Sequence, residues 1–208
     1  MQLAAIWNEK EVVRSYTPIT LDDTKGHFDL LVKTYALGNA SQYLAALEIG
    51  EKARFRGPKG KFLYRPNMAR EVGMIAGGTG ITPILQVIKA ILRNPKDKTK
   101  MSLIFANVSK DDILLYEELK EMAMKHSEQL KVHFVLNNPP TDEEWIGSVG
   151  YITADIIKSN CPAAADDTKI LMCGPPPMMA AMTKLLTEEM NFKPQSSPPS
   201  VDDQIQRF

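Results

Sequence analysis

The sequence predicts a β-rich amino-terminal part, a partial antiparallel β-barrel, followed by an α/β part built on a parallel sheet. Residues 1–67 contain short segments of β-branched and aromatic residues, which are separated by Asn, Asp, Gly and Pro. In residues 68–208, apolar runs alternate with segments that carry apolar residues at helical spacing. Strands that alternate with helices imply parallel pairing through right-handed crossovers.

The individual elements follow from these periodicities. In the first part we expect strands over 3–7, 11–16, 27–35 and 52–56, and a short helix over 41–47. In the second part we expect strands over 72–76, 101–108, 131–136 and 169–173, with helices in between and a last helix over 176–190. A loop rich in Pro and Ser follows at 193–200, and residues 201–208 could form a short edge strand.

Composition excludes several classes of protein. The 208 residues carry 25 basic and 25 acidic side chains, which gives no support for a nucleic-acid or other polyanion binder. Two cysteines are too few for a disulfide scaffold or a thiolate zinc cage. We find neither an apolar run of about 18 residues, as a membrane span needs, nor a secretory signal. The chain is also short for two complete domains of medium size.

A glycine-rich loop, Gly77-Gly78-Thr79-Gly80-Ile81-Thr82-Pro83, follows the first strand of the α/β part. Glycines allow a backbone to approach a ligand closely, and the amino terminus of the next helix favours phosphate. We expect Thr82 to cap that helix and Pro83 to begin it. The loop matches neither the Walker A motif nor the usual dinucleotide fingerprint, so an ordinary turn remains an alternative.

The second motif, Cys173-Gly174-Pro175-Pro176-Pro177-Met178, also follows a parallel strand. In open α/β sheets, ligands bind beyond the carboxyl ends of the strands. Taken alone, Cys173 is more simply explained as a small buried apolar residue.

Two motifs in the β-rich part have the chemistry of a cofactor site. Arg14 can hold a phosphate, and Tyr16 and Thr17 can contact a planar ring, although a strand that ends in a turn at Pro18 explains them too. Residues 38–41 can present backbone amides and a hydroxyl to a phosphate, or Ser41 can simply cap the short helix.

Together, these motifs resemble the ferredoxin-reductase-like flavoproteins, and among them the NADH–cytochrome b5 reductase family. The resemblance rests on six motifs in the family's order, which are Arg14-x-Tyr16-Thr17-Pro18, Leu31-Val32-Lys33-x-Tyr35, Gly38-x-x-Ser41, Gly57-Pro58-x-Gly60-x-Phe62, the loop 77–83 and the segment 173–178. It implies an FAD-binding β-barrel followed by a domain that binds a nicotinamide nucleotide.

The resemblance also implies roles for individual residues. For FAD these are Arg14, Tyr16, Thr17, Pro18, Lys33, Tyr35, Gly38, Ala40 and Ser41; for the nicotinamide nucleotide they are Gly78, Gly80, Asn137, Cys173, Gly174, Pro175 and Met178; and Thr82 would approach the flavin. Among them, Thr82, Cys173 and Lys33 would take part in catalysis. The implied reaction passes a hydride from NADH to FAD, and single electrons then go to cytochrome b5 or a similar acidic haem protein.

Specificity and docking can be argued from the residues themselves. Asn137 follows the third strand of the α/β part, at the position where an acid would bond the ribose 2′-hydroxyl and repel a 2′-phosphate. The segment 137–151 contains no Lys or Arg but does contain Asp142, Glu143 and Glu144, so we expect NADH to be preferred over NADPH. Between residues 51 and 70, the charged side chains sum to +6, which predicts either a solvated surface or a docking face for an acidic partner.

The resemblance has one shortfall, because only thirteen residues precede Arg14. Roughly two opening strands of the family barrel, and the membrane anchor that many relatives carry, would lie before this region. From the resemblance we expect a monomer that acts on the cytoplasmic side, in family members at the endoplasmic reticulum or mitochondrial outer membrane. A nonenzymatic nucleotide-binding remnant with an incomplete flavin site remains the alternative, and the same two halves also occur in nitrate reductase.

Overall fold

Two sheets organise the part of the chain that the computed structural model describes, which is residues 1–60, 62–142 and 144–208. The chain divides into two units, Met1–Lys61 and Phe62–Phe208. The domain boundary after residue 67 stays a prediction.

The first unit contains β1 (Gln2–Trp7), β2 (Lys10–Ser15), α1 (Asn39–Ala46) and β3 (Arg54–Arg56). The second contains β4 (Glu71–Gly77), α2 (Ile81–Arg93), β5 (Lys100–Asn107), α3 (Tyr116–Lys125), β6 (Leu130–Leu136), β7 (Ser148–Val149), α4 (Ala154–Asn160), β8 (Thr168–Cys173), α5 (Pro176–Lys184) and β9 (Ile205–Arg207).

The first unit contains an antiparallel sheet in the order β2-β1-β3, which confirms the predicted antiparallel β class. A two-residue turn joins β1 to β2, and both of its residues, Asn8 and Glu9, have positive φ as the twist of a tight hairpin requires. Leu3, Val12 and Ala40 form the buried centre, so α1 packs against the sheet through its first turn.

The strand expected over 27–35 is wrong. Within the described residues, this segment pairs only through an isolated bridge between Pro18 and Leu30. Proline has no N–H to continue a ladder, and the Thr20 hydroxyl accepts the bond from the Asp29 N–H that a partner strand would otherwise take.

The second unit contains a parallel sheet in the order β7-β6-β5-β4-β8-β9, and this confirms the predicted parallel fold. The chain starts in the middle at β4, moves outward through β5, β6 and β7, and then returns to β8 on the other side of β4. The direction of winding therefore reverses between β4 and β8. Ligands of open parallel sheets bind beside such a reversal.

Helices cover both faces of this parallel sheet. Strand residues such as Ile75 and Ile104 pack with Ile157 of α4 and Met182 of α5 in one buried cluster. On α2 the buried residues are Ile81, Thr82, Pro83, Ile84, Leu85, Val87, Ile88 and Ile91. None of the described helices has both the length and the apolar character required to cross a bilayer.

The start of α2 differs from the expectation. The helix begins at Ile81 with Gly80 as its cap, so Thr82 and Pro83 are its second and third residues. The reason is that the Gly78–Gly80 segment already forms a turn of 3-10 helix, and the Ile81 N–H bonds back to the carbonyls of Gly78 and Thr79. The last helix also departs from the expected 176–190, because α5 ends at Lys184 and a π-helical turn, Leu185–Glu189, follows.

Candidate functional site

The two glycine-containing loops of the second unit meet at the carboxyl ends of β4 and β8. A Cβ atom on Gly80 would lie 2.1 Å from the carbonyl oxygen of Cys173. A Cβ atom on Gly77 would lie 2.5 Å from the sulfur of Met178 and 3.0 Å from the Pro175 ring. The Gly80 contact is with backbone and leaves no room for a side chain, whereas the Met178 side chain could move away from Gly77, so Gly80 in particular allows the loops to approach. We call the space bounded by Gly78–Gly80 and residues 173–175 the β4–β8 crevice.

Within the Gly78–Gly80 turn, Gly78 has a φ of +52°, in the left-handed region that glycine tolerates best. Thr82 is buried, and its hydroxyl donates to the Thr79 carbonyl at 3.2 Å. The Thr82 hydroxyl, for which the resemblance implies a part in catalysis, therefore holds the turn closed in this arrangement. The amino terminus of α2, a helix of 13 residues, follows directly and favours an anion at this edge.

Cys173 is the last residue of β8, and its thiol is free. Burial raises the pKa of this thiol above its ordinary value, which favours the neutral form. Gly174 and Pro175 continue from Cys173 into α5, which carries Met178 in its first turn. The thiol and thioether together give this wall a polarisable, weakly polar surface.

Asn107 is a residue of the crevice edge that sequence reasoning missed. It ends β5, is 7% exposed, and both its side-chain oxygen and its nitrogen lack a partner among the described residues. A buried amide with both functions unpaired is costly, which marks a position where a polar ligand fits. An amide at the end of a largely apolar strand was the signal available in the sequence.

Asn137 follows β6, and its N–H bonds to the Asn107 carbonyl at 3.2 Å. Its side-chain nitrogen donates to the Gly150 carbonyl at 3.4 Å. The side-chain oxygen can then accept a hydrogen bond from a hydroxyl of a ligand. Of the acids expected nearby, Asp142 and Glu144 are exposed, whereas Glu143 lies outside the described residues.

In the first unit, Arg14 is exposed near the end of β2, and Tyr16 follows the strand. The Tyr16 N–H bonds to the Met1 carbonyl, which extends the pairing with β1. Burial raises the pKa of the Tyr16 phenol, with Arg14 opposing the rise and Tyr35 adding to it. Arg14, Tyr16 and Tyr35 are thus brought close to one another, as a shared cofactor site would require.

The remaining residues expected at FAD lie in the segments that join β2 to α1. Thr17 follows Tyr16, Pro18 bridges to Leu30, and Lys33 is half-buried in an irregular stretch. The Ser41 hydroxyl accepts from the Tyr35 N–H at 3.1 Å and donates to the Gly38 carbonyl at 3.0 Å. Ser41 therefore shapes the turn, and what residues 39–41 offer to a phosphate is the backbone amides of the first turn of α1.

The basic side chains between residues 51 and 70 differ in their exposure and in their partners. Arg54 and Arg56 are both exposed and share one face of β3, whereas Phe55 between them packs against the sheet. Lys59 donates to the Gln2 side chain at 2.6 Å. In the second unit, Arg70 is ion-paired with Asp167 and Glu71. Lys61 lies outside the described residues.

Comparison with known proteins gives concordant matches over both parts of the chain. The oxidoreductase FAD-binding domain family matches residues 1–64, and the oxidoreductase NAD-binding domain family matches residues 74–184. NADH-cytochrome b5 reductase 1 of Candida albicans is 51% identical over 205 residues, which is 99% of this chain and 69% of that protein. The chain belongs to the NADH–cytochrome b5 reductase family.

Two further comparisons agree with this family. NADH-cytochrome b5 reductase 1 of Coccidioides immitis is 54% identical over 201 residues, 94% of this chain. The crystal structure of the cytochrome b5 reductase domain of Ulva prolifera nitrate reductase superposes with a TM-score of 0.91 at 35% identity, over 100% of this chain and 82% of that one. The chain spans 64% of the length of the Coccidioides relative and so corresponds to about two thirds of such a reductase.

Proposed function

We propose that this chain oxidises NADH through FAD and passes the electrons to cytochrome b5 or a similar one-electron haem acceptor. The observation that carries the proposal is the β4–β8 crevice, in which two motifs nearly 100 residues apart in sequence meet at the reversal of the parallel sheet. Glycine contacts, a helix amino terminus and the unpaired amide of Asn107 fit a nicotinamide nucleotide.

The residues of the second unit would bind and orient the nucleotide. The backbone amides of Gly78–Gly80 and the start of α2 would hold its pyrophosphate, and the Asn137 side-chain oxygen would accept from a ribose hydroxyl. Cys173 and Met178 would form an apolar wall for the nicotinamide ring, with Gly174 and Pro175 keeping the backbone close. Because the Cys173 thiol is neutral, its role there is contact and water exclusion.

The residues of the first unit would bind FAD. Arg14 and the amides at the start of α1 would hold the pyrophosphate, and Tyr16 and Tyr35 would pack against flat surfaces of the cofactor. Lys33 would stabilise negative charge on the flavin. When bound together, NADH and FAD supply a hydride donor and a carrier that releases electrons singly.

The visible absorption spectrum of the purified chain tests the proposal. We expect flavin absorption after reconstitution with FAD, bleaching on addition of NADH, and reduction of added cytochrome b5. The three-stranded sheet of the first unit leaves Ile6 75% exposed, which makes FAD retention the most demanding of these steps. A folded chain that stays colourless with excess FAD would instead support a nonenzymatic nucleotide-binding remnant.

Arg54 and Arg56 should govern the encounter with an acidic acceptor. Reversing both charges, in Arg54→Glu with Arg56→Glu, should lower kcat/KM for cytochrome b5 by about tenfold or more at low salt, since electrostatic steering sets the association rate. The deficit should shrink as ionic strength rises. Steady-state kinetics over a salt series measures both effects.

The matched control for this charge reversal is Lys10→Glu with Lys25→Glu, which changes the net charge equally at two exposed sites of the same unit. It should retain most of the activity, and both pairs should reduce a small uncharged quinone at the original rate. Equal losses in the two double variants would show that total charge, and not a docking face on β3, matters.

Asn137 should set the strictness of nucleotide choice. Asn137→Asp adds a negative charge where a 2′-phosphate would lie, so the NADH/NADPH ratio of kcat/KM should rise by about tenfold, or about 1.4 kcal/mol. Asn138→Asp makes the same change one residue away and should alter the ratio much less. An original protein that uses both nucleotides with equal efficiency would contradict the proposed preference for NADH.

We further propose that the chain is a monomer and works at the cytoplasmic face of the endoplasmic reticulum or mitochondrial outer membrane, where the family acts. Light scattering of the purified protein tests the first statement, and fractionation of cells that express the native gene tests the second.

A further inference from the structure

Lys169, in β8, is a buried cation whose three donors are all used. The residue is 9% exposed, and its ammonium donates to the carbonyls of Val201 at 3.2 Å, Asp202 at 3.0 Å and Asp203 at 3.1 Å. Burial lowers the pKa of this ammonium, and the carboxylates of Asp202 and Asp203 oppose that effect. Without these three carbonyls the buried ammonium would lose its hydrogen-bond partners, which would be costly. The three bonds therefore keep the carbonyls in place around the ammonium.

These carbonyls belong to the turn that leads directly into β9. The Asp203 N–H bonds to the Ser200 carbonyl at 3.2 Å, and the Asp203 carboxylate accepts from the Ser200 N–H and the Ser196 hydroxyl. The segment before the turn contains Pro194, Pro198 and Pro199, which supply no backbone N–H. Side-chain bonds therefore help to hold the entry to β9: those of Lys169, and those of the Gln206 amide to the Ser200 and Asp203 carbonyls.

The register of β9 needs such an anchor. The strand is three residues long and pairs Ile170 with Ile205 and Met172 with Arg207. A three-residue strand has few ladder bonds of its own to oppose a slip, and a slip by one residue would turn every side chain, including that of the buried Ile205, to the other face. Lys169 precedes the first of these pairs, so the turn that it holds determines which residue of β9 meets Ile170.

The register of β9 in turn places Phe208. The Phe208 N–H bonds to the Met172 carbonyl at 3.1 Å, which puts Phe208 alongside Cys173 at the carboxyl edge of the sheet. Its ring stands edge-on to Phe62 at 5.4 Å between centroids. It is 43% exposed, so part of the ring faces outward beside the wall of the β4–β8 crevice.

We propose that Lys169 is a positioning residue: by holding the 201–203 turn it fixes the register of β9 and the place of Phe208 beside the nicotinamide nucleotide. The second half of this statement rests on the proposed function, whereas the first half does not. Lys169 itself touches no ligand and acts through the strand.

Hydrogen exchange tests the first half on the full chain without any ligand. In Lys169→Met, the Phe208 amide should exchange at least tenfold faster, because hydrogen bonds to a charged group are lost, while amides of β5 keep their protection. The matched control is Lys193→Met, in the same loop, whose exposed ammonium pairs with the Asp166 carboxylate at 3.0 Å, and which should leave Phe208 protected. Original protection of Phe208 in Lys169→Met would overturn the proposal.

A double-mutant cycle tests the second half in the FAD-loaded protein. Lys169→Met and Phe208→Ala should each raise KM for NADH by a similar factor, about tenfold, and the double variant should be no worse than Phe208→Ala. Effects that multiply would mean that Lys169 contributes only general stability. If the unaltered protein oxidises no NADH, the proposed function fails, while the exchange result still decides the anchoring of β9.

If Lys169→Met does not fold, Lys169→Gln replaces it, since glutamine retains one donor side for the turn. The Phe208 amide should then exchange faster than in the original protein, but by a smaller factor than that expected for Lys169→Met. Protection equal to that of the original protein would overturn the proposal here as well.

Discussion

Replacing Gly80 with alanine should abolish NADH binding and strongly destabilise the second unit. The new Cβ would lie 2.1 Å from the oxygen and 2.5 Å from the carbon of the Cys173 carbonyl, and both atoms belong to the backbone of β8. Backbone atoms cannot rotate away, so either the Gly78–Gly80 turn or the end of β8 has to move. We expect a loss of about 3 kcal/mol or more in the free energy of unfolding, at the upper end for overpacked sites.

Two other alanine substitutions in the same crevice separate crowding from a general effect of losing glycine. In Gly174→Ala the nearest atom would be the Met178 sulfur at 2.9 Å, at the end of a flexible side chain that can move. In Gly78→Ala nothing lies within 4 Å, and the cost is the positive φ of +52°, worth about 1 to 2 kcal/mol.

Urea unfolding and NADH titration of the three variants give the comparison. Stability should fall most in Gly80→Ala, and only this variant should lose NADH binding completely. If Gly80→Ala unfolds at the original urea concentration, then the close approach between the turn and β8 does not hold in solution.

The sequence predicted the second unit well because its signals are local and mutually consistent. The segments 72–76 and 131–136 are rich in apolar and β-branched residues and have the length of a strand, and a helical segment follows each of them after a loop. The loops at 77–80 and 173–175 each follow such a strand, so a parallel sheet necessarily brings both to one edge. That Gly80 in particular must be a glycine, however, depends on the Cys173 carbonyl of another strand and cannot be read from local sequence.

Sequence reasoning failed where distant atoms satisfy backbone groups. The segment 27–35 has a strand pattern, but a threonine hydroxyl and a proline partner replace the ladder. Thr82 has the properties of a helix cap, yet the preceding 3-10 turn shifts the start of α2 to Ile81. From local sequence, Lys169 cannot be distinguished from an ordinary charged residue at the start of a strand. The carbonyls that hold it are more than 30 residues away along the chain.

Asn107 leads to a prediction in which stability and binding change in opposite directions. In Asn107→Leu, a side chain of similar volume replaces an amide whose oxygen and nitrogen are buried and unpaired among the described residues. Removing that desolvation cost should raise the free energy of unfolding of the ligand-free protein by about 1 kcal/mol. The loss of a polar contact to the nucleotide should weaken NADH binding by about tenfold or more.

Ser102→Ala is the matched control, because Ser102 lies on the same strand and its hydroxyl is also buried. Ser102 is near the amino end of β5, away from the crevice, so its substitution should leave the NADH dissociation constant unchanged. Thermal unfolding without nucleotide and NADH titration are measured for both variants. Weaker binding accompanied by lower stability in Asn107→Leu would mean that the amide supports the β5–β6 edge through its own bonds. Weaker binding together with higher stability in Asn107→Leu would have a different cause. It would mean that the Asn107 amide costs stability in the free protein because it is left to pair with the nucleotide.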